Sequence, residues 1–378
     1  MYIMLQEKFK DIRPYIGEEE APALARIAAN PLLKDIAAYL FPDQSSEILK
    51  DLISSLKSVD EFQSKVMLHA IRKIISDTAK ELTYSGQERI SENKRELFIS
   101  NHRDILLDSA IIQVILFLNN LKTSEMAVGD NLITDSFMED VARSNKMIKV
   151  VRSTIPRELY QSSLLLSEYI RNSISSNRSS VWIAQRNGRT KDGVDLTEQG
   201  LLKMLEMSGS GNFEKDFLEL SITPVSISYE YEPCDFLKAR ELYISQRTKY
   251  KKSPGEDLNS ILTGIMQYKG NIHIHFCDPI DKDELSLCAS MEKNEKFKKL
   301  AEVIDSRIYS KYHIWKTNMI AYDILNSSSK YLTKYSREEF NAFNDYCDFK
   351  ISGFDGDKEE IKHIFLSIYA NPITKQDV

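Results

Sequence analysis

Cysteine is scarce and scattered. The 378-residue chain has four, Cys234, Cys277, Cys288 and Cys347, with no C-x-x-C pair among them. That excludes the spacing of a zinc site and the framework of a disulfide-stapled secreted domain, and points to reduced thiols in a cytoplasmic compartment. Long apolar runs are also missing. A membrane-spanning helix needs about 18 or more consecutive apolar residues. The longest candidate here, Ala110 to Leu118, is interrupted by Gln113 and followed by two asparagines. The first twenty residues, MYIMLQEKFKDIRPYIGEEE, hold no apolar core of signal-peptide length. The expectation is a soluble protein, or one attached at most to a membrane surface. An excess of positive charge is absent too: 50 Lys+Arg stand against 56 Asp+Glu, a net charge of −6. A dedicated nucleic-acid binder would be basic, so that class is excluded, although a local basic patch is not. There is no internal repeat and no low-complexity tract.

What is present is an ordinary globular composition, 42% hydrophobic and 28% charged, so global disorder is excluded. At about 150 residues per domain the length allows roughly two to three units, or one elaborated domain. Residues 1–85 read as helical. Apolar positions recur at helical spacing in PLLKDIAAYLF and EILKDLISSL, with a turn and cap over 43–47 and no strand signal. From residue 96 the pattern changes. Short β-rich runs at 96–100, 125–129, 147–151, 180–185, 222–229 and 271–276 alternate with helix-like stretches at 103–121, 135–145, 156–176, 197–207 and 234–248. That alternation predicts an α/β fold, a mixed, largely parallel sheet flanked by helices. After residue 281 the chain turns helical again. The layout expected is a helical N-terminal extension over 1–85, an α/β core over 86–282 and a helical C-terminal extension over 283–378.

Four segments carry chemistry. In Phe98-Ile-Ser-Asn-His102-Arg-Asp-Ile-Leu-Leu-Asp108 a β-like run ends at a histidine and an apolar helix follows. Sheets of this class place ligand sites at such strand ends. A histidine there acts as a general base if a carboxylate orients its other nitrogen, and Asp104 and Asp108 are both near enough. The plainer reading is that Asn101 caps the helix and the two aspartates stabilise its first turn. The second segment, Ala184-Gln-Arg-Asn-Gly188-Arg-Thr-Lys-Asp-Gly193, crowds Arg186, Arg189 and Lys191 onto a glycine-containing loop. Such cations suit a phosphate; the alternative is a solvated basic turn. The third, Val150-Val-Arg152, ends a strand in a cation. The fourth, Pro224-Val-Ser-Ile-Ser-Tyr229, is a strand whose early proline suits a strand start or a sheet edge.

In order and spacing these four blocks resemble the glycerolipid acyltransferases, the group that includes 1-acylglycerol-3-phosphate acyltransferase. That family carries a His-x4-Asp block, a block ending in Arg, a Glu-Gly-x-Arg-like block and a Pro-Val-x-Ile-like strand. The match covers about residues 96–230, and Ala184–Gly193 with Val128-Gly-Asp-Asn-Leu132 further resembles a bacterial branch with long terminal extensions. The resemblance implies that His102 deprotonates an acceptor hydroxyl, which attacks an acyl thioester on coenzyme A or acyl carrier protein. It needs no cofactor and no metal. Asp108 is the favoured partner of His102 and Asp104 the other. The helix N-terminus after His102 is a candidate donor to the developing oxyanion. Arg103, Arg152, Arg186, Asn187, Gly188, Arg189 and Lys191 are expected around the acceptor phosphate. The implied setting is phospholipid synthesis at the inner face of the cell membrane, with the protein peripheral to it.

The sequence departs from the family pattern in three places, one being that the family Arg position of the third block falls near Thr190, next to Arg189. The family Asp position is occupied by Leu107, and Asp108 makes the spacing His-x5-Asp. Asn187 stands where the family has Glu. The uncharged Asn187 keeps open an O-acyltransferase for a lyso-aminolipid. The shifted aspartate keeps open a non-catalytic lipid-binding module on the same fold. His273 and His275 share one face of a strand, as a metal pair would, but without a third ligand near in sequence they read as an exposed strand face. The basic run Arg247-Thr-Lys-Tyr-Lys-Lys252 reads as a solvated helix end, the alternative being a dock for an acidic carrier or anionic headgroups. The helix over 156–176 reads as core rather than membrane-binding.

Overall fold

A computed structural model describes residues 7–42 and 44–376. Asp43, within the turn expected at 43–47, lies outside the described residues. Beyond it, Ser45 accepts from the Glu47 amide and caps the helix that follows. Seven strands form one sheet in the order β1-β7-β6-β2-β5-β3-β4. They are β1 (Ala79–Ser85), β2 (Leu97–Ser100), β3 (Glu125–Gly129), β4 (Met147–Val150), β5 (Val181–Ala184), β6 (Ile222–Tyr229) and β7 (Gly270–Phe276). Every neighbouring pair is parallel except β6 and β7. Seven helices matter for the site: α1 (Leu68–Thr78), α2 (Leu107–Leu118), α3 (Pro156–Ser175), α4 (Asp235–Ser245), α5 (Glu256–Met266), α6 (Lys293–Ser310) and α7 (Lys358–Gln376). No helix among the described residues is long and apolar enough to cross a membrane.

The sheet is covered on both faces, which is why its central strands read as unbroken apolar runs. Leu97 and Ile99 of β2 join Val181 and Ile183 of β5 in a core against α3 and α6. Phe98, Trp182, Val225 and Ile227 face the other way, against α1 and α2. Helix α2 is buried almost all round, matching its apolar sequence. Two satellite cores lie outside the sheet, one among the N-terminal helices and one among the C-terminal helices.

Two expectations need correction. Residues 79–85 are not helical; they form β1, paired in parallel with β7 at the sheet edge. The strand escaped notice because an edge strand needs little apolar character, and here Lys80 and Glu81 are exposed. The second correction concerns Pro224, which does not mark a sheet edge. Strand β6 is interior, between β7 and β2. The β7 ladder runs from Val225, opposite Phe276, and one step beyond it the Cys277 amide donates to the Pro224 carbonyl at 2.9 Å, so the proline sits at the ladder's end and leaves only the return bond unmade. His273 and His275 lie on the half-exposed face of β7, bonded to Thr83 and Ser85 of β1. The described residues hold no cluster of three or more metal-ligating side chains.

Candidate active site

Strand β2 delivers His102 to the carboxyl end of the sheet, between Ala184 of β5 and Val225 of β6. The next residues do not enter a helix at once. Asn101 does not cap one: its side chain accepts from the Ile227 amide and donates to the Ile227 carbonyl, both at 2.8 Å, tying the loop to β6. Capping falls to Asp104, whose Oδ1 accepts from the amides of Leu106 (2.9 Å) and Leu107 (2.7 Å). Those two amides are thereby engaged, so they are not the oxyanion donors expected at this helix N-terminus. Helix α2 starts one turn later than a direct strand-to-helix junction would allow, and this accommodates the extra residue in the His-x5-Asp spacing.

Asp108, fully buried in the first turn of α2, points back over the loop. Its Oδ2 accepts from His102 Nδ1 at 2.8 Å, from the Arg103 amide at 2.6 Å and from the Asp104 amide at 2.9 Å. Its Oδ1 accepts from the Tyr229 hydroxyl at 2.8 Å. A carboxylate only accepts, so Nδ1 carries the hydrogen and the Nε2 lone pair is free in the neutral ring. The imidazole meets the Trp182 ring edge-on at 5.8 Å, and the indole N–H is tethered to Ser100. Of the two carboxylates open in the sequence, Asp108 is the one that touches His102. Asp104 is a helix cap whose carboxyl is pushed up by burial and by the neighbouring Asp108 charge. Gly264 lets α5 close over this loop: a Cβ there would lie 2.3 Å from Asp104 Oδ2.

His102 opens on a cavity of about 470 Å³ between the ends of β3, β4 and β5, the first turns of α2 and α3, and α5. Its walls are mostly apolar, including Leu106, Met126, Val128, Met147, Leu159 and Met204. Of the residues expected around a phosphate, Arg152, Arg186, Asn187 and Gly188 line it. The Arg152 guanidinium lies over Gly129, where a Cβ would meet it at 2.8 Å. Gly188 has φ +79°, a left-handed turn that suits glycine.

Three expected contacts do not reach this cavity. Arg103 is wholly buried beneath the loop. It bonds Asp195 Oδ2 (2.5 Å) and Glu232 Oε2 (3.1 Å), and its guanidinium lies 5.3 Å from the Tyr312 ring centre. A guanidinium enclosed by two carboxylates is a structural tie. Lys191 is paired with Glu241 of α4. Arg189 lies near α5, close enough for its charge to help lower the Asp257 carboxyl and to oppose a little of the rise at Asp104.

Sequence reasoning missed the partners that hold the loop. Tyr229, Asp195 and Glu232 are three, and Lys238 is a fourth, donating to the Arg103 carbonyl at 2.7 Å. Only Tyr229 left a signal, as the last residue of the Pro224–Tyr229 block.

Residues 81–228 match the family model described as Acyltransferase. No curated protein is similar enough to count as a match. Among solved structures, the chain is similar to the crystal structure of the 1-acyl-sn-glycerophosphate (LPA) acyltransferase, PlsC, from Thermotoga maritima. The two are 14% identical with a TM-score of 0.39, over 75% of this chain and 91% of that one.

Proposed function

We propose that this chain, whose residues 81–228 match the Acyltransferase family model, moves a fatty acyl chain from a thioester to a hydroxyl of a lysophospholipid or glycerol-phosphate acceptor. The observation that carries this is the His102–Asp108 pair opening on an apolar cavity with Arg152 and Arg186 in its wall. The donor is acyl-coenzyme A or acyl carrier protein.

In this reading His102 Nε2 takes the proton of the acceptor hydroxyl as its oxygen attacks the thioester carbonyl carbon. Asp108 stabilises the imidazolium that forms. The tetrahedral adduct then expels the thiolate, which recovers the proton from His102, leaving an ester, a free thiol and the original base. The protein forms no covalent bond to the acyl group. Arg152 and Arg186 hold the acceptor phosphate, and the apolar wall takes acyl chain.

A second reading rests on a specific observation. Only two of the five expected phosphate cations line the cavity, and Asn187 beside them is neutral. That favours a lyso-aminolipid acceptor with no glycerol phosphate. Glycerol 3-phosphate analogues would inhibit the first enzyme and leave the second untouched. The retained His102–Asp108 pair speaks against a non-catalytic module.

The test is free-thiol release from palmitoyl-coenzyme A and from palmitoyl-acyl carrier protein, each with lysophosphatidic acid. Acceptor-dependent release that His102→Ala abolishes, in a protein that still melts cooperatively, supports the mechanism. Unchanged turnover in that variant would sink it.

A further inference from the structure

The cavity mouth carries an apolar surface with no partner in the fold. On α5, Leu258, Leu262 and Met266 recur at i, i+4 and i+8 and are 60%, 52% and 65% exposed. They form one outward stripe, while Ser260 and Gly264 of the same helix face inward and Ile261 lines the cavity. Across the mouth, the first turns of α3 expose Ile155, Leu159 and Tyr160. Leu159 also lines the cavity, so the two patches meet at its opening. The rest of α3, from Leu166 through Ile170, is core. The earlier reading of this helix as core therefore fails only for its first turns.

Charge flanks these patches. Arg152 and Arg157 lie beside the α3 turns, and Lys249, Lys251 and Lys252 lead into α5; all five are exposed. Lys252 pairs with Asp257, which also accepts from Asn131, while Glu158 and Glu256 are bonded to Ser153 and the Ser253 amide. Among the described residues, Arg157, Lys249 and Lys251 make no ion pair. These five cations stand against Asp257, Glu158, Glu256 and Asp130, which accepts from the Arg152 amide, so the mouth carries a small positive excess on a chain of net charge −6.

We propose that this mouth docks on an anionic lipid bilayer, with the α5 stripe and the first turns of α3 entering the acyl boundary. The purpose rests on the acyltransferase reading: an acceptor chain then passes from bilayer to cavity without crossing water. The occupant follows from the combination. An apolar stripe beside lysines and arginines is what an interfacial helix presents to anionic headgroups. An acidic carrier protein would answer the cations but leave the stripe in water. A second copy related by a two-fold axis would set like charges against each other.

Vesicle flotation of the full chain tests this, on phosphatidylcholine alone and with phosphatidylglycerol added. The variants are Leu258→Ser/Leu262→Ser/Met266→Ser and Lys249→Glu/Lys251→Glu. Wild type is expected to float with anionic vesicles and less with neutral ones. The triple variant should lose binding by about tenfold or more. The charge variant should lose the preference for anionic vesicles. Both should keep wild-type turnover of a water-soluble short-chain acceptor without vesicles. Wild type that stays in solution, or a triple variant that floats equally, overturns the proposal. So does a wild-type dimer that the triple variant dissolves, which would assign the face to a second copy. Vesicle binding that depends on the stripe, in a protein inert toward every acceptor, leaves the docking standing and removes the acyltransferase reading.

Discussion

Replacing Asp108 with asparagine isolates the one charge that the proposed mechanism asks the fold to supply. The carboxylate accepts four donors: His102 Nδ1, the Arg103 and Asp104 amides, and the Tyr229 hydroxyl. Asparagine can keep that arrangement. Its carbonyl oxygen takes the place of Oδ2 and serves the first three, while its NH₂ group donates to the Tyr229 oxygen, whose hydrogen turns away. Packing is preserved and the charge is lost. When His102 takes the acceptor proton, the imidazolium faces a neutral amide at 2.8 Å instead of a carboxylate. A unit charge pair at about 3 Å in an effective dielectric of about 20 is worth about 5–6 kcal/mol. A neutral hydrogen bond retains roughly half of a charge-assisted one. The transition state therefore loses about 2.5–3 kcal/mol, or about 10²-fold in kcat. The acceptor KM should move less than about threefold, since Asp108 reaches the cavity only through His102 and does not line it itself. The assay is thiol release at saturating donor, with a thermal melt beside it. Asp104→Asn is the control: the amide oxygen still caps Leu106 and Leu107, so kcat should stay within about threefold. A folded Asp108→Asn enzyme within about fivefold of wild type would refute the charge argument. An Asp104→Asn enzyme as damaged as Asp108→Asn would refute the division of roles.

Two further predictions concern how the surrounding structure holds the site. Burial pushes the Asp305 carboxyl up to about 6, against the pull of two bonds from Thr197. The native state therefore keeps a proton between about pH 4 and 6 that the unfolded chain has released. Stability falls as pH rises through that window and levels off above it. Asp305→Asn keeps the acceptor for Thr197 and removes the penalty, so it should stabilise at pH 7.5 by up to roughly 3 kcal/mol and by almost nothing at pH 4. Urea unfolding at both pH values checks this, and a variant less stable at pH 7.5 would contradict it. Gly188 and Gly193 both have φ +79°, but a Cβ at Gly188 meets nothing within 4 Å, whereas one at Gly193 falls 2.2 Å from the Ile368 carbonyl oxygen on α7. Alanine at 188 should cost only the left-handed strain, about 1 kcal/mol; alanine at 193 should cost at least about 2 kcal/mol more, because backbone must move. Equal thermal shifts for the two would mean that α7 does not press on this loop.

The strands that read clearly in the sequence are those buried on both faces. Phe98 with Trp182, and Ile99 with Ile183, fill opposite cores, so a short strand has to be apolar at every position. The same physics hides β1. Its neighbour β7 supplies one row of hydrogen bonds and most of its side chains meet water, so AKELTYS carries no periodic signal. Of the two places Pro224 suited, the strand start holds and the sheet edge does not. A local rule about missing donors places proline at an edge, but the length of β7 decides where the ladder begins.

The site divides the same way, by sequence distance. His102 and Asp108 are six residues apart, so a local reading finds the pair. Arg103 stands between them and reads equally well as a ligand cation. What decides against that reading lies 92 residues on at Asp195 and 129 residues on at Glu232. Those carboxylates are in turn held by residues beyond the matched region. The Asp195 amide donates to the Tyr309 hydroxyl of α6, and the Glu232 amide donates to the Tyr369 hydroxyl of α7. Tyr312 faces the Arg103 guanidinium. Burying an arginine with two carboxylates needs their positions fixed closely. The C-terminal tyrosines fix the backbone at both carboxylates, and Lys238 bonds Glu232 Oε1 and the Arg103 carbonyl, while Asp195 Oδ1 is left without a partner among the described residues. The loop that presents His102 is therefore set from below by elements outside the motif-bearing stretch. That explains how a His-x5-Asp spacing keeps a 2.8 Å contact: the extra residue is absorbed in a loop whose arginine cannot shift without exposing two buried carboxylates.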